Sequence, residues 1–301
     1  MTHPNRTFLG LGECMVELSP AGPGLLREGF AGDVFNTLWY AARCLGPGWQ
    51  VRFHTALGAD PLSDALAGFA EAAGIATADA PRVPDRAVGL YMIHLQDGER
   101  SFSYWRDSSA ARRMMDDPAL VADRIAAADV VYLSGITLAI LPPDHAETLI
   151  ELMARARQAG RIVAFDPNIR PRLWDDETRM RQVVEAAAGA SSIALPSFDD
   201  EAATFGDADP EATAARYAAR GCPHVVVKNG PRPVLTRIDG ALHVHALPAP
   251  VERVVDSTAA GDSFNAAYLA AFMDSRDPAQ AVAAGQTRAA RTICGPGALV
   301  P

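Results

Sequence analysis

The residues best suited to chemistry lie near the C-terminal end of the sequence, in segment 256–264 (DSTAAGDSF). Phe264, Tyr268 and Phe272 are spaced by four residues, which predicts one apolar face on a helix that begins near Gly261. A run of small residues therefore leads into a helix whose first turn carries a carboxylate. This arrangement predicts a site that binds phosphate and removes a proton at one place, as phosphoryl transfer requires.

The start of this predicted helix is suited to binding phosphate. Free backbone N–H groups at a helix N-terminus attract anions, and the helix dipole adds to the attraction. Ala259, Ala260 and Gly261 carry little or no side chain, so a phosphate can approach the backbone closely. We expect Ser257 or Thr258 to cap the helix, because a hydroxyl oxygen can accept a hydrogen bond from a free backbone N–H group.

Asp262 admits two interpretations. Acidic residues are common in the first turn of a helix simply because they complement the helix dipole. The small residues before Asp262, however, clear space for a ligand. Beside bound phosphates its carboxylate could accept the proton of an attacking hydroxyl, as kinase bases do. We therefore predict that Asp262 is a general base.

The elements that must position these residues follow from an alternation of short apolar runs with alanine-rich segments. This alternation predicts an α/β fold with a mostly parallel sheet that is covered by helices on both faces. The predicted strands are residues 8–11, 51–56, 130–133, 162–165, 192–195 and 225–227. The predicted helices are residues 34–44, 65–73, 146–159, 180–188, 211–219, 262–272 and 279–292. Residues 125–143 contain polar side chains, so we interpret them as a buried strand and loop rather than a membrane span.

Polar residues follow four of the predicted strands. Ligands of a parallel α/β sheet bind beyond the carboxyl ends of its strands. The four polar segments are 134–135 (SG), 166–170 (DPNIR), 196–200 (PSFDD) and 228–230 (KNG). Loops tend to be polar, so one such segment is weak evidence. Four in succession at one edge of the sheet predict a shared cleft.

Two regions depart from the alternation. Residues 15–31 are rich in Gly and Pro, and residues 87–106 are typical of a β-hairpin with an Asp-Gly turn at 97–98. Together they predict a small β layer, from about 13–32 and 87–106, at the edge of a single domain that spans residues 1–301. Such a layer could close over a site as a lid. The alternative is an ordinary surface hairpin.

Composition argues against several classes of function. The chain has 301 residues, 49% hydrophobic and 21% charged, which is typical of a globular protein. Its formal net charge of -9 argues against nucleic-acid binding, which needs clustered Lys and Arg. No segment predicts a signal peptide or a membrane span. The four cysteines are widely spaced, and we interpret them as reduced thiols of a cytoplasmic protein. A P-loop motif and a zinc-ligand pattern are absent from the sequence.

Nearly the whole sequence resembles the ribokinase-like (PfkB) carbohydrate kinase family. Segment 256–264 resembles the family's C-terminal signature, which usually reads DTxGAGDxF. Segment 32–36 (GDVFN) resembles its N-terminal GGxxxN element, with Ala31 in place of the first Gly. Three further parts are most similar to 2-keto-3-deoxygluconate kinases within this family. They are residues 12–17 (GECMVE), 104–106 (YWR) with 109–112 (SAAR), and 166–174 (DPNIRPRLW).

The resemblance implies a Rossmann-like α/β domain with a β lid. It implies ATP and Mg²⁺ as cofactors and transfer of a phosphoryl group to the 6-hydroxyl of 2-keto-3-deoxy-D-gluconate, which gives 2-keto-3-deoxy-6-phosphogluconate. Asp262 matches the catalytic base, and the backbone from Ala259 through Ala260 and Gly261 to Asp262 matches the anion hole. The implied nucleotide-binding residues are Asn168, Ser197, Lys228, Asn229, Gly230, Ala259 and Gly261. The implied substrate contacts are Gly32, Asp33, Asn36, Tyr91, Tyr104, Arg106 and Arg170.

Two arginines support a sugar acid as the substrate. Arginine presents a rigid fork of donors that suits a carboxylate, and Arg106 and Arg170 are the two candidates. A neutral sugar would not need such a clamp. The alternative is that both arginines are simply solvated.

Two parts of the sequence depart from the family pattern. Ser197 and Asp200 stand where the family's NxxE element, which is linked to magnesium and phosphate positioning, has Asn and Glu, so we assign no metal ligand. Ala259 replaces the usual Gly of the anion hole, and we expect the site to tolerate it with a negative φ.

The sequence leaves three functions open. They are a 2-keto-3-deoxygluconate kinase, another sugar kinase of the fructokinase or ribokinase type, and a sugar-sensing protein without catalysis on the same fold. The need for a monovalent cation is open as well. An exposed β lid predicts a homo-oligomer. The expected partners are small molecules, a sugar acid and ATP, with no nucleic acid and no membrane.

Overall fold

The computed structural model of the protein describes residues 6–77, 79–96, 99–247, 251 and 253–301. The strands in these residues are β1 (Arg6–Leu11), β2 (Met15–Gly22), β3 (Leu25–Ala31), β4 (Trp49–His54), β5 (Leu57–Gly58), β6 (Ile75–Ala76), β7 (Arg82–Val83), β8 (Leu90–Gln96), β9 (Glu99–Trp105), β10 (Val130–Ser134), β11 (Ile162–Asp166), β12 (Ile193–Ala194), β13 (His224–Val227), β14 (Val234–Ile238) and β15 (Ala241–His245). The α-helices are α1 (Asp33–Cys44), α2 (Pro61–Ala72), α3 (Pro118–Ala127), α4 (Gly135–Ile140), α5 (Pro143–Gln158), α6 (Glu177–Ala190), α7 (Phe198–Phe205), α8 (Pro210–Ala219), α9 (Ala260–Ser275) and α10 (Pro278–Thr292).

The main sheet contains nine strands in the order β15-β14-β13-β12-β11-β10-β1-β4-β6. The strands from β13 to β6 are parallel, and only β14 and β15 pair antiparallel at one edge. All six predicted strands lie in the parallel part, which confirms the predicted α/β class. Because the strands are parallel, their polar carboxyl ends meet along one edge of the sheet.

The core lies on both faces of this sheet, because successive strand residues point to opposite sides. Along β10, Val131 and Leu133 pack in the core layer beneath α3, α5, α6 and α8. Val130 and Tyr132 pack in the other layer, beneath α1, α2, α9 and α10. Both faces of the strand are fully buried, which explains why parallel strands appear in the sequence as continuous apolar runs.

A second sheet has the strand order β3-β2-β8-β9. It is built from the two regions that depart from the alternation, and its β8 and β9 pair antiparallel as the predicted hairpin. The predicted turn residues Asp97 and Gly98 lie outside the described residues. We call this sheet the lid sheet. A short parallel pair, β5 with β7, completes the strand pairing in the described part of the chain.

Four helices begin at an Asp-Pro pair. Asp60, Asp117, Asp209 and Asp277 each accept hydrogen bonds from backbone N–H groups of the first turn of α2, α3, α8 and α10. The proline that follows has no N–H group to satisfy and its φ suits the first helical position. The sequence pattern therefore fixes where these four helices start.

The prediction for one region, residues 125–143, is partly wrong. Residues 125–143 were expected to form a strand and a loop, but the strand β10 runs directly into helix α4. Ser134 caps α4 by accepting a hydrogen bond from the Thr137 backbone N–H at 3.4 Å. Across the residues that the structure describes, no helix combines the length and the apolar character needed to span a membrane.

Candidate active site

The start of α9 lacks a side-chain cap. The residue before the helix, Ala259, has a left-handed backbone with a φ of 58°, and no side chain accepts a hydrogen bond there. The predicted cap by Ser257 or Thr258 is therefore wrong. The Thr258 hydroxyl instead donates to the Asp256 carboxylate at 2.7 Å, so this side chain fixes the preceding loop rather than the helix.

The backbone at this helix start is open to a ligand. Within the described chain, the N–H groups of Gly261 and Asp262 have no hydrogen-bond acceptor. The expectation that Ala259 keeps a negative φ is also wrong, since its φ is positive. A left-handed alanine costs roughly 1–2 kcal/mol, because its Cβ comes close to the following carbonyl oxygen. The strain and the unsatisfied N–H groups both lie where the sequence predicts an anion hole.

Asp262 lies in the first turn of α9, partly buried. The Asn36 side-chain amide, from the first turn of α1, donates to Asp262 Oδ2 at 2.9 Å. Burial, together with repulsion from the Asp33 carboxylate, raises the pKa of Asp262 from 3.8 to about 8. The Asn36 hydrogen bond opposes this rise, because it favours the charged form. Only the ionised fraction of such a carboxyl can accept a proton as a general base, and this fraction increases as the pH rises toward about 8.

A buried polar cluster lies beneath this helix start. The Lys228 ammonium donates to the Asp166 carboxylate at 2.8 Å, and the Asn265 side-chain amide donates to the same oxygen at 2.6 Å. Asn265 also donates to the Tyr132 hydroxyl at 3.1 Å, and the Thr37 hydroxyl donates to Tyr132 at the same distance. All five side chains are buried. The cluster fixes the end of β11, the end of β13 and the first turns of α9 relative to one another.

Lys228 also reaches the anion hole. A Cβ atom placed on Gly261 would lie 3.5 Å from the Lys228 ammonium nitrogen. The ammonium group therefore lies next to the open backbone of the helix start. A fixed positive charge at this place stabilises negative charge that develops on a transferred phosphoryl group.

Asn168 links the strand-end loop after β11 to the start of α1. Its backbone N–H donates to Asp166 Oδ1 at 3.1 Å, and its side-chain amide donates to Asp33 Oδ2 at 2.9 Å. Its backbone is left-handed, with a φ of 36°, which Asn tolerates better than most residues. The loop passes close to Gly135, where any Cβ atom would collide with the Pro167 carbonyl oxygen.

The predicted nucleotide loop pairs with the loop that follows β12. Ser197 and Lys228 form an isolated parallel bridge, and the Phe198 N–H donates to the Lys228 carbonyl at 2.8 Å. Asn229 leaves its side-chain oxygen buried without a hydrogen-bond partner in the described chain. Gly230 has a positive φ of 53° and is exposed. The unpartnered Asn229 oxygen and the open glycine leave polar groups available to a ligand at this end of the cleft.

The predicted substrate contacts from the lid sheet lie beside the cleft. Gly32 packs against the Glu13 carbonyl oxygen so closely that a Cβ atom would collide with it. The rings of Tyr91 and Tyr104 lie 5.9 Å apart, and the Tyr91 hydroxyl donates to Glu17. The Arg172 guanidinium lies 5.9 Å from the Tyr104 ring centre. This cation–π contact joins the lid sheet to the loop that carries Asn168 and Arg170.

The two predicted arginines differ in their surroundings. Arg106 is buried and forms an ion pair with the buried Glu13, which also accepts a hydrogen bond from the Ser109 hydroxyl at 2.5 Å. The Arg106 Nε atom has no partner in the described chain. Arg170 is 46% exposed and lies 3.5 Å from Asp200. Arg170 therefore keeps a solvated guanidinium, whereas much of the charge of Arg106 is already neutralised.

The described residues supply few ligands for a metal ion. Among the described residues, no group of three or more His, Cys, Asp or Glu side chains could hold a metal ion. Mg²⁺ does not require such a group in kinases, because one or two carboxylates and the substrate phosphates suffice. Asp200 fits this need, since burial raises its pKa and a nearby cation would stabilise its charged form.

At the start of α9 the structure joins Asn36 to Asp262 and places Lys228 beside Gly261. Ala259 packs against the lid-sheet cluster that contains Tyr91. Within the described residues, no hydrogen bond or ion pair joins Arg106 or Arg170 to this helix start.

Sequence reasoning did not include Glu13, Asp166 and Asn265 among the site residues, although all three belong to the polar contacts of Arg106 and Lys228. Asn265 follows Asp262 by three residues, so helical spacing places both on neighbouring positions of one face. Asp166 stands at a polar strand end, yet its pairing with Lys228, 62 residues away, has no local signal.

Comparison with known proteins gives the family and the fold of this chain. The pfkB family carbohydrate kinase profile matches residues 11–301. The chain is 38% identical over 297 residues to a 2-dehydro-3-deoxygluconokinase of Escherichia coli (strain K12), which covers 97% of this chain and 96% of that protein. This enzyme name is a synonym of 2-keto-3-deoxygluconate kinase.

Solved structures show the same fold. A PfkB protein from Polaromonas sp. JS666 matches with a TM-score of 0.83 at 25% identity, covering 96% of each chain. A fructokinase with bound ATP from Xylella fastidiosa matches with a TM-score of 0.79 at 25% identity, covering 97% of this chain and 93% of that one. The family match over nearly the whole chain and this fold confirm an ATP-dependent sugar kinase. The chain belongs to the pfkB family of carbohydrate kinases.

Proposed function

We propose that the protein phosphorylates the 6-hydroxyl of 2-keto-3-deoxy-D-gluconate with ATP, giving 2-keto-3-deoxy-6-phosphogluconate and ADP. The observation that carries this proposal is the uncapped start of α9, with Asp262 bound to Asn36 and the Lys228 ammonium beside it. The similarity to 2-dehydro-3-deoxygluconokinases supports the choice of substrate.

In the proposed reaction, the Asp262 carboxylate accepts the proton of the sugar hydroxyl. The hydroxyl oxygen forms a bond to the γ-phosphorus, while the bond from that phosphorus to the bridging oxygen of ADP breaks. The open N–H groups of Gly261 and Asp262 and the Lys228 ammonium stabilise the charge on the transferred group. Asn36 holds the Asp262 carboxylate, and Asp166 holds Lys228.

We propose that the nucleotide lies along the loops that carry Asn168, Ser197 and the segment 228–230. Mg²⁺, bound with the ATP phosphates, would neutralise phosphate charge, and Asp200 is the side chain that best suits it. An assay with and without potassium determines whether the reaction needs a monovalent cation.

The sugar carboxylate is assigned to Arg170, with Arg106 as a fixed hydrogen-bond donor in the same pocket. Arg170 is solvated and can exchange its weak contact with Asp200 for a bidentate carboxylate. Arg106 keeps an unpartnered Nε atom although Glu13 balances its charge. Gly32, Asp33, Asn36, Tyr91 and Tyr104 complete the proposed sugar pocket.

A neutral sugar is the second candidate, and one observation favours it. Because Glu13 already neutralises Arg106, only one arginine of the predicted clamp carries a free charge. A fructokinase-type activity would be consistent with this weaker positive field. A non-catalytic sugar sensor is less well supported, because the arrangement of Asp262 and Lys228 would then serve no purpose.

A substrate panel tests these alternatives directly. The protein is incubated with ATP, Mg²⁺ and each of 2-keto-3-deoxygluconate, fructose and ribose, and ADP formation is measured. We expect the keto-deoxy acid to give the highest kcat/KM. Turnover of fructose or ribose without turnover of the acid would refute the proposed substrate, and binding without ADP formation would refute catalysis.

An arginine comparison tests the carboxylate contact. Arg170→Ala should raise KM for the acid while leaving any residual fructose activity unchanged. Arg181→Ala on α6 is the matched control, because its guanidinium is 48% exposed and lies 3.4 Å from a carboxylate, much as that of Arg170 does. Equal effects of the two variants would mean that Arg170 contributes only a general positive field.

We further propose that the chain forms one kinase domain with the lid sheet at its edge, that it works in the cytoplasm, and that it assembles as a homo-oligomer. The lid sheet exposes Leu25, Leu26 and Trp105, an apolar surface that a second copy could cover. Light scattering tests the assembly, and a monomeric mass at assay concentration would contradict it.

A further inference from the structure

A cavity of about 1030 Å³ lies at the other end of the main sheet from the catalytic cleft. Arg6 and Trp49 line it and are the first residues of β1 and β4, so the cavity lies at the amino ends of these strands. Its other walls are the C-terminal halves of α1, α9 and α10. The volume is comparable with that of known small-molecule sites.

Four arginines line this cavity, namely Arg6, Arg43, Arg288 and Arg291, against one carboxylate, Asp274. None of the four forms an ion pair within the described chain. Most other arginines of the structure have a carboxylate partner, and the whole chain carries a net charge of -9. An unpaired basic cluster in an acidic protein attracts anions locally.

Two of these guanidinium groups are held in place by the fold. Arg43 lies 3.4 Å over the Trp39 ring and donates to the Trp39 carbonyl oxygen at 2.8 Å. Arg288 lies 4.6 Å over the Tyr40 ring and donates to the Val300 carbonyl oxygen, while its Nε atom is buried without a partner in the described chain. Fixed guanidinium groups lose less entropy when they bind an anion than free ones do.

The two fixed guanidinium groups also repel each other. Burial lowers the pKa of Arg43, and the positive charge of Arg288 lowers it further. An anion bound between them would relieve this repulsion, because opposite charge favours the charged forms of both groups. Alanines on α9 and α10 also line the cavity, and we call them the alanine floor; their short side chains leave room for a ligand on the helix surfaces.

We propose that this cavity, which we call the arginine groove, binds a small molecule that carries a polyphosphate group. The phosphoryl oxygens would contact Arg43, Arg288 and Arg291, and the uncharged part of the ligand would lie against Trp49 and the alanine floor. Several adjacent charges match several adjacent guanidinium forks better than a single carboxylate does. This site is separate from the catalytic cleft and does not depend on which sugar the enzyme phosphorylates.

Cys44 provides a local measurement of binding. It lines the groove and is exposed, whereas Cys294 is exposed but does not line the groove. The full chain is treated with iodoacetamide in magnesium-free buffer of constant ionic strength, with and without inorganic tripolyphosphate as the probe. Peptide mass spectrometry then gives the alkylation rate of each cysteine.

We expect about tenfold slower alkylation of Cys44 once the probe fills about nine-tenths of the sites, because only the free fraction reacts. The rate at Cys294 should not change. A bound anion also removes the nearby positive charge that favours the Cys44 thiolate, which acts in the same direction. Equal slowing of both cysteines, or equal protection by sulfate at the same ionic strength, would overturn the proposal.

Two variants separate binding from a structural role. Arg291 lies in the last turn of α10, where a cation also complements the helix dipole. The double variant Arg288→Ala/Arg291→Ala should lose the protection of Cys44 by tripolyphosphate. Arg155→Ala, which removes a last-turn arginine from α5, is the matched control and should keep it. If the double variant lowers the Tm but keeps the protection, the arginines serve only the helix and the proposal fails.

Discussion

Helices α2, α3, α8 and α10 begin differently from α9. Each of the four has an aspartate cap followed by proline, so one or two of its first N–H groups are satisfied by a side chain. Helix α9 begins at a left-handed alanine with no side-chain cap. A cap at α9 would occupy the groups that a phosphate must contact. Helices α1, α5 and α7 also lack a side-chain cap, but among the described α-helices only α9 begins at a left-handed residue. The comparison therefore indicates that backbone strain, rather than the missing cap alone, distinguishes this helix start.

The Asp-Pro pairs of the chain also have two different roles, capping a helix or contacting side chains in the cleft. At 166–167 this pair does not begin a helix, and Asp166 instead binds Lys228 and Asn265 at the bottom of the cleft. The same dipeptide thus stabilises a helix start at four positions and holds the buried Lys228 at a fifth. What decides its use is whether the following residues continue as a helix or as the loop of Asn168.

The largest effect is expected at Asp262, the first-turn acid of the uncapped helix. Asp262→Asn should lower kcat by roughly 10²–10⁴-fold if this carboxylate is the general base. Asp64→Asn is the matched control, because Asp64 is a first-turn acid of the capped helix α2. It should leave kcat unchanged. Near-normal kcat in Asp262→Asn would refute the role of base.

The Asp262→Asn variant, which should lose activity, should gain thermal stability over the wild type as the pH rises. The pKa of Asp262 is raised from 3.8 to about 8 in the folded protein, so the folded state binds the proton more tightly than the unfolded chain does. The wild type therefore loses stability as pH rises from about 4 to about 8, and the Asp262→Asn variant would avoid this loss. The Tm difference, Asp262→Asn minus wild type, should grow between about pH 5 and about pH 9. A constant difference would contradict the raised pKa.

Lys228 should give the next largest effect. Lys228→Met removes the ammonium next to the anion hole and should lower kcat by roughly 10²–10³-fold, as loss of an oxyanion donor does elsewhere. Because Asp166 would remain buried without its cation, the double variant Asp166→Asn/Lys228→Met serves as the stability control. If the double variant regained wild-type kcat, the lysine would only balance the buried carboxylate.

The pH dependence of activity should follow Asp262. As the fraction of ionised carboxylate falls, kcat/KM for the sugar should decrease about tenfold per pH unit below a midpoint near 8. Burial is the main cause of the raised pKa and Asp33 the second, so Asp33→Asn should move the midpoint to lower pH. A profile of kcat/KM over about three pH units measures both. An unchanged midpoint in Asp33→Asn would mean that burial alone raises the pKa.

Much of the fold could be predicted because its signals are local. Each predicted strand of the main sheet lies within about two residues of an observed one, since a strand buried on both faces is a continuous apolar run. Helix α3 was missed although Asp117-Pro118 carries the same start signal as the other capped helices. The antiparallel edge strand β15 was missed because it is mostly exposed, so its apolar pattern is weak. Strand β14 was missed as well, although its first three residues are buried.

The site was only partly predictable, because its chemistry depends on contacts between distant residues. The contact of Asn36 with Asp262 joins residues 226 positions apart, and the family resemblance rather than any local pattern brought them together. That resemblance did not distinguish Arg106 from Arg170. The buried partner of Arg106 is Glu13, and only the folded chain shows that the two charges cancel. The left-handed backbone of Ala259 likewise could not be predicted, because the residue type alanine gives no indication of it.

A smaller effect is expected at a capped helix. Asp209 accepts one hydrogen bond, from the Ala212 N–H at 2.8 Å, to cap α8. Asp209→Ala should destabilise the protein by about 1 kcal/mol, which lowers the Tm by about 2 °C in a chain of this size. Activity should not change, because α8 carries none of the predicted site residues. A loss of activity without a change in Tm would contradict the division between capped and uncapped helix starts.

The smallest expected effect is at Ala259, where the division between stability and function can be tested in one residue. Ala259→Gly removes the Cβ that makes a φ of 58° costly, but it also gives the unfolded chain more freedom, so the net gain should be about 1 kcal/mol or less. Because the backbone conformation is unchanged, kcat should stay within about twofold of the wild type. The Tm and kcat are measured together, with Ala260→Gly as the matched control inside the helix, where glycine should destabilise. If Ala259→Gly lowered kcat strongly, the alanine methyl would itself shape the anion hole, and the strain at this helix start would be part of the mechanism rather than a tolerated cost.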